Sequence, residues 1–211
     1  PGADTQLRSD EVDADMLEHT RIFHTGSLSL TQEPVRSATY EAIDRAKAAG
    51  AIISYDPNYR ASLWGSKDEA IRYMRSLIST ADIMKVSDEE LPLLTGETDP
   101  EQATDVLLDQ GVKLVAVTLG AKGAFIRVRS ESRLVPGFRS NAIDTTGAGD
   151  AFFGGLLYRL LCSEKALKDV TLEDAADYAR FGNATASLCV EQRGGIPAMP
   201  ILADILCRLG E

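Results

Sequence analysis

This 211-residue sequence predicts an α/β protein whose mainly parallel sheet is covered on both faces. Three observations carry that expectation. Short apolar segments alternate with amphipathic stretches of helical length, the pattern of βαβ units. The short segments are apolar throughout rather than at every second residue, as strands buried on both faces should be. The polar and glycine-rich residues gather after these segments, at the carboxyl ends of the strands, where such sheets place their ligands.

Taken in order, residues 4 to 20 are polar and acidic, with Val12, Met16 and His19 or Thr20 on one side of a short helix. Arg21 to Ser27 reads as a strand ending in a Gly-Ser turn. Glu33-Pro34 opens a helix to about Ala49, with Val35, Ala38, Ala42, Ile43 and Ala46 facing inward and Gly50 as its stop. Ala51 to Tyr55 is a strand, followed at once by Asp56-Pro-Asn-Tyr-Arg60. A helix from about Lys67 to Ser79 precedes a strand from Asp82 to Val86, and Ser87 to Glu90 cap a short helix ending at Thr95-Gly96. Pro100 to Gln110 is helical, Leu114 to Val117 a strand, and Ala124 to Val128 with Arg133 to Val135 a hairpin. After the glycine-rich stretch a helix carries the apolar rows Phe152, Leu156, Leu160 and Phe153, Leu157, Leu161, and further helices run from about Leu172 to Val190 and to Leu209. With no internal repeat, low-complexity linker or domain boundary in the pattern, residues 1–211 are expected to form one domain.

Composition narrows the function classes. An apolar fraction of 44% and a charged fraction of 26% describe an ordinary soluble protein. The net charge of −10 argues against a sequence-independent nucleic-acid binder, which needs a basic face. No apolar run approaches the ~18 residues of a membrane span, and no signal peptide opens the chain. Cys162, Cys189 and Cys207 are widely spaced and form no CxxC, so reduced thiols in a cytoplasmic protein are expected. His19 and His24 lack zinc-helix spacing and are read as structural. The chain opens on Pro1 rather than Met, which reads as a processed or truncated polypeptide.

One stretch concentrates chemistry, Ile143-Asp-Thr-Thr-Gly-Ala-Gly-Asp-Ala-Phe-Phe153. Gly147, Ala148 and Gly149 leave little side chain at the start of an apolar helix, where orphan N–H groups point outward and favour anions. Asp150 falls in the first turn, an arrangement suited to a base beside a phosphate. The same residues also fit a plainer role, with Asp150 offsetting the helix dipole and Thr145 or Thr146 capping. Gly154-Gly155, inside the helix, point to close backbone packing. Neither GxxxxGK[ST] nor GxGxxG occurs, so a phosphate binder here must use another loop design.

Asp144 to Phe152 resembles the C-terminal signature of the ribokinase-like, or PfkB, family of carbohydrate kinases. Thr118-Leu-Gly-Ala-Lys-Gly123, the Glu90 region, Asn183-Ala-Thr-Ala-Ser187 and Gly194-Gly-Ile-Pro197 extend the match in the family's order over nearly the whole chain. Phe23 to Leu30 with Glu33-Pro34, Asp56 to Arg60 and Lys85 to Glu90 look most like fructokinases.

The resemblance implies a ribokinase-like three-layer αβα fold and ATP-dependent phosphorylation of a sugar's primary hydroxyl, D-fructose to fructose 6-phosphate. It makes Asp150 the general base, with Gly147, Ala148 and Gly149 donating N–H groups to the transferred phosphoryl group. Arg60, Lys85, Ser87, Thr118, Gly120, Gly123 and Asn183 fall to the nucleotide, Arg60 having a surface ion pair and Asn183 helix packing as their alternatives. Glu90 is implied to organise Mg2+ through water. Asp144 and Thr146, with carbonyls around Cys189, Gln192 and Gly194, match a site for K+, or else form a capping pair. Ser87 stands where many members carry Asn, a residue that fructokinase-like sequences also replace. The family's sugar-gripping Gly-Gly and Asn residues and its lid sheet are expected to precede Pro1, and with them the surface for a homodimer. The competing expectations are a kinase for ribose, 2-keto-3-deoxygluconate or a nucleoside, and a catalytically silent nucleotide-binding relative or fragment.

Overall fold

The computed structural model describes residues 2–211. Its strands among these residues are Ile22–Gly26 (β1), Ile52–Asp56 (β2), Ile83–Ser87 (β3), Leu114–Thr118 (β4), Gly123–Val128 (β5) and Glu131–Pro136 (β6). They follow one another through one sheet in chain order. The α-helices are Ala14–His19 (α1), Val35–Ala48 (α2), Lys67–Ser76 (α3), Leu91–Leu94 (α4), Pro100–Asp109 (α5), Ala148–Ser163 (α6), Leu172–Cys189 (α7) and Leu202–Leu209 (α8). The expected α/β class is therefore observed. The chain divides into two compact units between Val115 and Ala116.

In the first unit β1 and β2 are parallel, in register from Ile22 opposite Ile52 to Gly26 opposite Asp56. β2 and β3 are also parallel, with Ser54 opposite Ile83 and Tyr55 opposite Met84. Ile53, Tyr55, Ile83, Met84 and Val86 are completely buried, as fully apolar strands require. All five residues expected on the inner face of α2 are buried. α3 is capped by Ser66, whose hydroxyl accepts from Glu69 N. It stops at Ser76, short of the expected Ser79, because the chain tightens into a 3-10 turn at Ile78–Thr80 that buries both Leu77 and Ile78. The expected cap on the helix before Thr95 is not formed by a side chain. The Glu90 carboxylate instead turns back toward the preceding strand.

In the second unit β5 and β6 form the expected antiparallel hairpin, from Gly123 opposite Pro136 to Val128 opposite Glu131. Gly123 sits at φ +104°, and a β-carbon there would strike the Val135 carbonyl oxygen and lie 2.5 Å from Gly137 N. α7 is held at its start by a reciprocal Thr171–Asp174 capping box and packs on β5 and β6, with α6 and α8 against it. Phe181 and Ala184 of α7 bury with Ile205 and Leu209 of α8. The crossing of α6 and α7 is close because small residues line it: a β-carbon on Gly155 would lie 2.6 Å from Thr185 Oγ1 and 3.1 Å from Gly182 Cα. Gly154 differs from the expectation for the pair. It faces outward, with nothing within 4 Å of an added β-carbon.

Candidate active site

Arg60, Lys85, Ser87 and Glu90 lie in the first unit, and the register of the parallel strands brings three of them together. Asp56 closes β2 one step beyond the Tyr55–Met84 pair, beside Lys85 of β3. The buried Lys85 Nζ donates to both Asp56 oxygens at 3.2 and 3.0 Å. Glu90, also buried, accepts from Tyr59 N at 2.7 Å on one oxygen, and from Ser87 N and Oγ at 2.8 and 2.9 Å on the other. Ser27 Oγ donates to Pro57 O at 2.5 Å, fixing the end of β1 to the same loop. The result is a clamp on the segment from Asp56 to Tyr59 made of charge-assisted bonds, the stronger kind. Arg60 lies just beyond the clamp, exposed; Nη1 donates to Tyr59 O at 3.1 Å, and no ion pair engages it among the described residues.

The other expected site residues lie in the second unit. Gly147 is the N-cap of α6 in the left-handed region, φ +81°, where a β-carbon would lie 3.2 Å from Gly195 Cα. Ala148 N donates to Thr145 O at 3.2 Å, so one of the three expected anion donors is turned to the loop itself. The N–H groups of Gly147, Gly149 and Asp150 have no acceptor among the described residues. Asp150 is exposed in the first turn of α6, and its carboxylate has no hydrogen-bond partner among these residues. Neither Thr145 nor Thr146 caps the helix through its side chain.

Asp144 ties two loops together. One oxygen accepts from Thr146 N at 2.9 Å and the other from Gly194 N at 3.0 Å. These bonds, Gly194's first, lower its pKa from 3.8 to about 2. Cys189 is buried under the same loop, its thiol 3.8 Å from Thr146 O. Burial raises the pKa of that thiol, and the Asp150 and Asp144 carboxylates add to the shift. The carbonyl oxygens of Gln192 and Gly194 accept no hydrogen bond among the described residues, whereas Cys189 O accepts from Gln192 N. No cluster of three or more His, Cys, Asp or Glu able to hold a metal occurs among the described residues.

A cavity of about 280 Å³ opens beside the start of α6. Its walls include Thr118, Gly120, Gly123, Ala148, Gly149 and Asn183, which sequence had grouped. They also include Gly137, Phe138, Phe152, Ala186, Ser187 and Val190, which it had not. For Ala186, Ser187 and Val190 the signal was present, since they share a helical face with Asn183 at spacings of three, four and seven. Asn183 Nδ2 donates to Val135 O and Pro136 O at 3.1 and 3.2 Å, so its donor fixes α7 to the hairpin and only its oxygen can face a ligand.

The fold and this loop define an α/β protein with a helix start whose Gly147, Gly149 and Asp150 N–H groups have no acceptor among the described residues, and a small cavity beside it. The chain belongs to the pfkB family of carbohydrate kinases, whose pattern residues 1–202 match. It is 41% identical over 206 residues to probable fructokinase-4 of Arabidopsis thaliana, covering 97% of this chain and 63% of the relative. A crystal structure of fructokinase from Vibrio cholerae O395 in its fructose, ADP and calcium ion bound form superposes with a TM-score of 0.89 at 34% identity, over 99% of this chain and 66% of that one. A double-mutant form of the same enzyme with fructose, ADP and potassium ion superposes with a TM-score of 0.90 at 33% identity, again over 99% and 66%. The chain thus spans about 63% of the length of the curated relative it matches.

Proposed function

We propose that the protein phosphorylates the primary hydroxyl of a sugar with ATP, D-fructose giving fructose 6-phosphate. The observation that carries this reading is the start of α6, where unpaired N–H groups of Gly147 and Gly149 stand one turn from the exposed Asp150 carboxylate. Asp150 takes the proton of the sugar hydroxyl as that oxygen bonds to the γ-phosphorus. The bond from that phosphorus to the β,γ-bridging oxygen breaks, and its electron pair leaves on ADP. The N–H groups meet the charge on the transferred phosphoryl oxygens, the preorganised stabilisation such transfers depend on. Ala148 contributes its small side chain and the turn rather than a donor.

The cavity takes the nucleoside, with Thr118, Gly120, Gly123 and Asn183 on its walls. Within the first unit Arg60 is the residue offered to phosphate oxygens, and Lys85 and Ser87 hold the segment that presents it. The residues fit a Mg2+ held chiefly by phosphates and water, because no protein cage exists for it among the described residues and both Glu90 oxygens already accept hydrogen bonds. Bound there, the ion would offset phosphate charge. K+ fits the carbonyls of Gln192 and Gly194 beside Asp144, with Thr146 and Cys189 adjoining. The relatives' names and the ligands in the solved fructokinases support fructose as the sugar. The test is ADP release by the intact protein over a panel of fructose, ribose, 2-keto-3-deoxygluconate and a nucleoside. Highest kcat/KM with fructose is expected; turnover confined to another acceptor overturns the choice of sugar.

A further inference from the structure

We propose that Arg208 of α8 and Glu191 are positioning residues for the cavity beside α6: together they hold its wall segment, residues 139–142, in the conformation that receives the nucleotide. The role rests on the kinase reading above for the identity of the ligand. Between the end of β6 at Pro136 and the start of α6 at Ala148 the chain forms neither helix nor strand. Order there has to come from individual contacts, because whatever freedom the segment keeps must be removed when a ligand binds. Ser140 and Ala142 line the cavity from this segment.

The residues flanking the segment are anchored independently. Phe138 packs on the apolar cluster of Phe181, Ala184, Ile205 and Leu209, and Ile143 N donates to Val190 O at 2.7 Å. In between, the backbone of 139–142 makes two hydrogen bonds among the described residues, and both go to one charged pair. Arg208 Nη1 donates to Arg139 O at 3.5 Å, and Asn141 N donates to Glu191 Oε1 at 3.4 Å. Both bonds are long, so what they supply is chiefly the attraction of a full charge for a peptide dipole. The charges themselves are fixed in place. Arg208 Nη2 donates to Glu191 Oε2 at 3.0 Å, and Nη1 donates to Ser187 Oγ at 3.1 Å, a hydroxyl that in turn donates to Ala184 O at 2.8 Å. Side-chain exposures of 23% and 31% shield the pair more than an ordinary surface pair, which contributes little. Without it, only the fraction of molecules with the segment in place binds, and the apparent affinity falls by that fraction.

The test compares Arg208→Met and Glu191→Gln with the parent in the intact protein. Arg159→Met serves as the control, since it breaks ion pairs to Asp177 and Glu211 that do not touch the segment. In both test variants the Kd for ADP by calorimetry, and the KM for ATP in fructose phosphorylation, should rise about tenfold, the effect of losing one hydrogen bond to a charged group. The kcat should stay within about twofold, because Asp150 and the N–H groups beside it lie outside the pair's reach, and the control should match the parent throughout. Hydrogen exchange at the amides of 139–142 should quicken in the test variants while that of β5 and β6 is unchanged. Unchanged Kd and KM, a fall in kcat at constant KM, or faster exchange across the hairpin as well would each overturn the positioning role. ADP binding that weakens as expected, in a protein that phosphorylates no sugar, leaves the role standing and removes the sugar-kinase reading instead. A parent that binds no ADP removes both.

Discussion

Two adjacent glycines of α6 should respond to the same substitution with opposite signs. Alanine is favoured over glycine inside a helix by about 0.5–1 kcal/mol. At Gly154 an added methyl meets nothing within 4 Å, so Gly154→Ala should realise that gain. For a chain of this size it corresponds to a rise in melting temperature of about 1–4 °C. At Gly155 the same gain is opposed by a methyl 2.6 Å from Thr185 Oγ1 and 3.1 Å from Gly182 Cα. The hydroxyl is not free to swing away, since it donates to Phe181 O at 2.9 Å, and the α-carbon belongs to the backbone of α7. Overpacking of this kind costs about 1–3 kcal/mol, leaving Gly155→Ala less stable than the parent by up to about 2.5 kcal/mol. Thermal unfolding followed by circular dichroism reads both variants. If Gly155→Ala melts at or above Gly154→Ala, the close crossing of α6 and α7 is wrong.

Two further outcomes follow from the charged groups. Lys85→Met strips the buried Asp56 of its ammonium and should destabilise by about 3–5 kcal/mol in urea denaturation, with much of the loss recovered when Asp56→Asn is added. An undiminished loss in the double variant would contradict the pairing. The depressed pKa of Asp144 means its ionised form is favoured by folding, so its contribution is full above its ordinary value of 3.8 and fades as pH falls toward about 2. The stability gap between the parent and Asp144→Asn should therefore be present at about pH 5 and narrow toward pH 2; a gap constant with pH would exclude the two N–H bonds as its source.

Periodicity made the elements legible. The inner face of α2 follows from residue spacing alone, and largely apolar runs marked β2 to β4 as buried strands. The clamp at the strand ends was less accessible. Lys85 and Glu90 read as ligand contacts because their partners, Asp56 and Tyr59, lie 29 and 31 residues away and meet them only through the β2–β3 register. Gly154 and Gly155 are identical in sequence terms, and only the position of α7 separates them. At the start of α6 the glycines and Asp150 were evident, but not that Ala148 N folds back onto Thr145 O, a matter of backbone direction. Asn183 was singled out through the family resemblance, while its donors to β6 belong to tertiary packing.

The central claim, that Asp150 is the base beside an anion-binding helix start, is tested most directly by Asp150→Asn in the intact protein. The substitution keeps the size and the backbone of the turn while removing the proton acceptor. The kcat for fructose phosphorylation should fall by about 10²–10⁴ while the Kd for ADP stays unchanged. Near-normal turnover in that variant, with ADP still bound, would contradict the account.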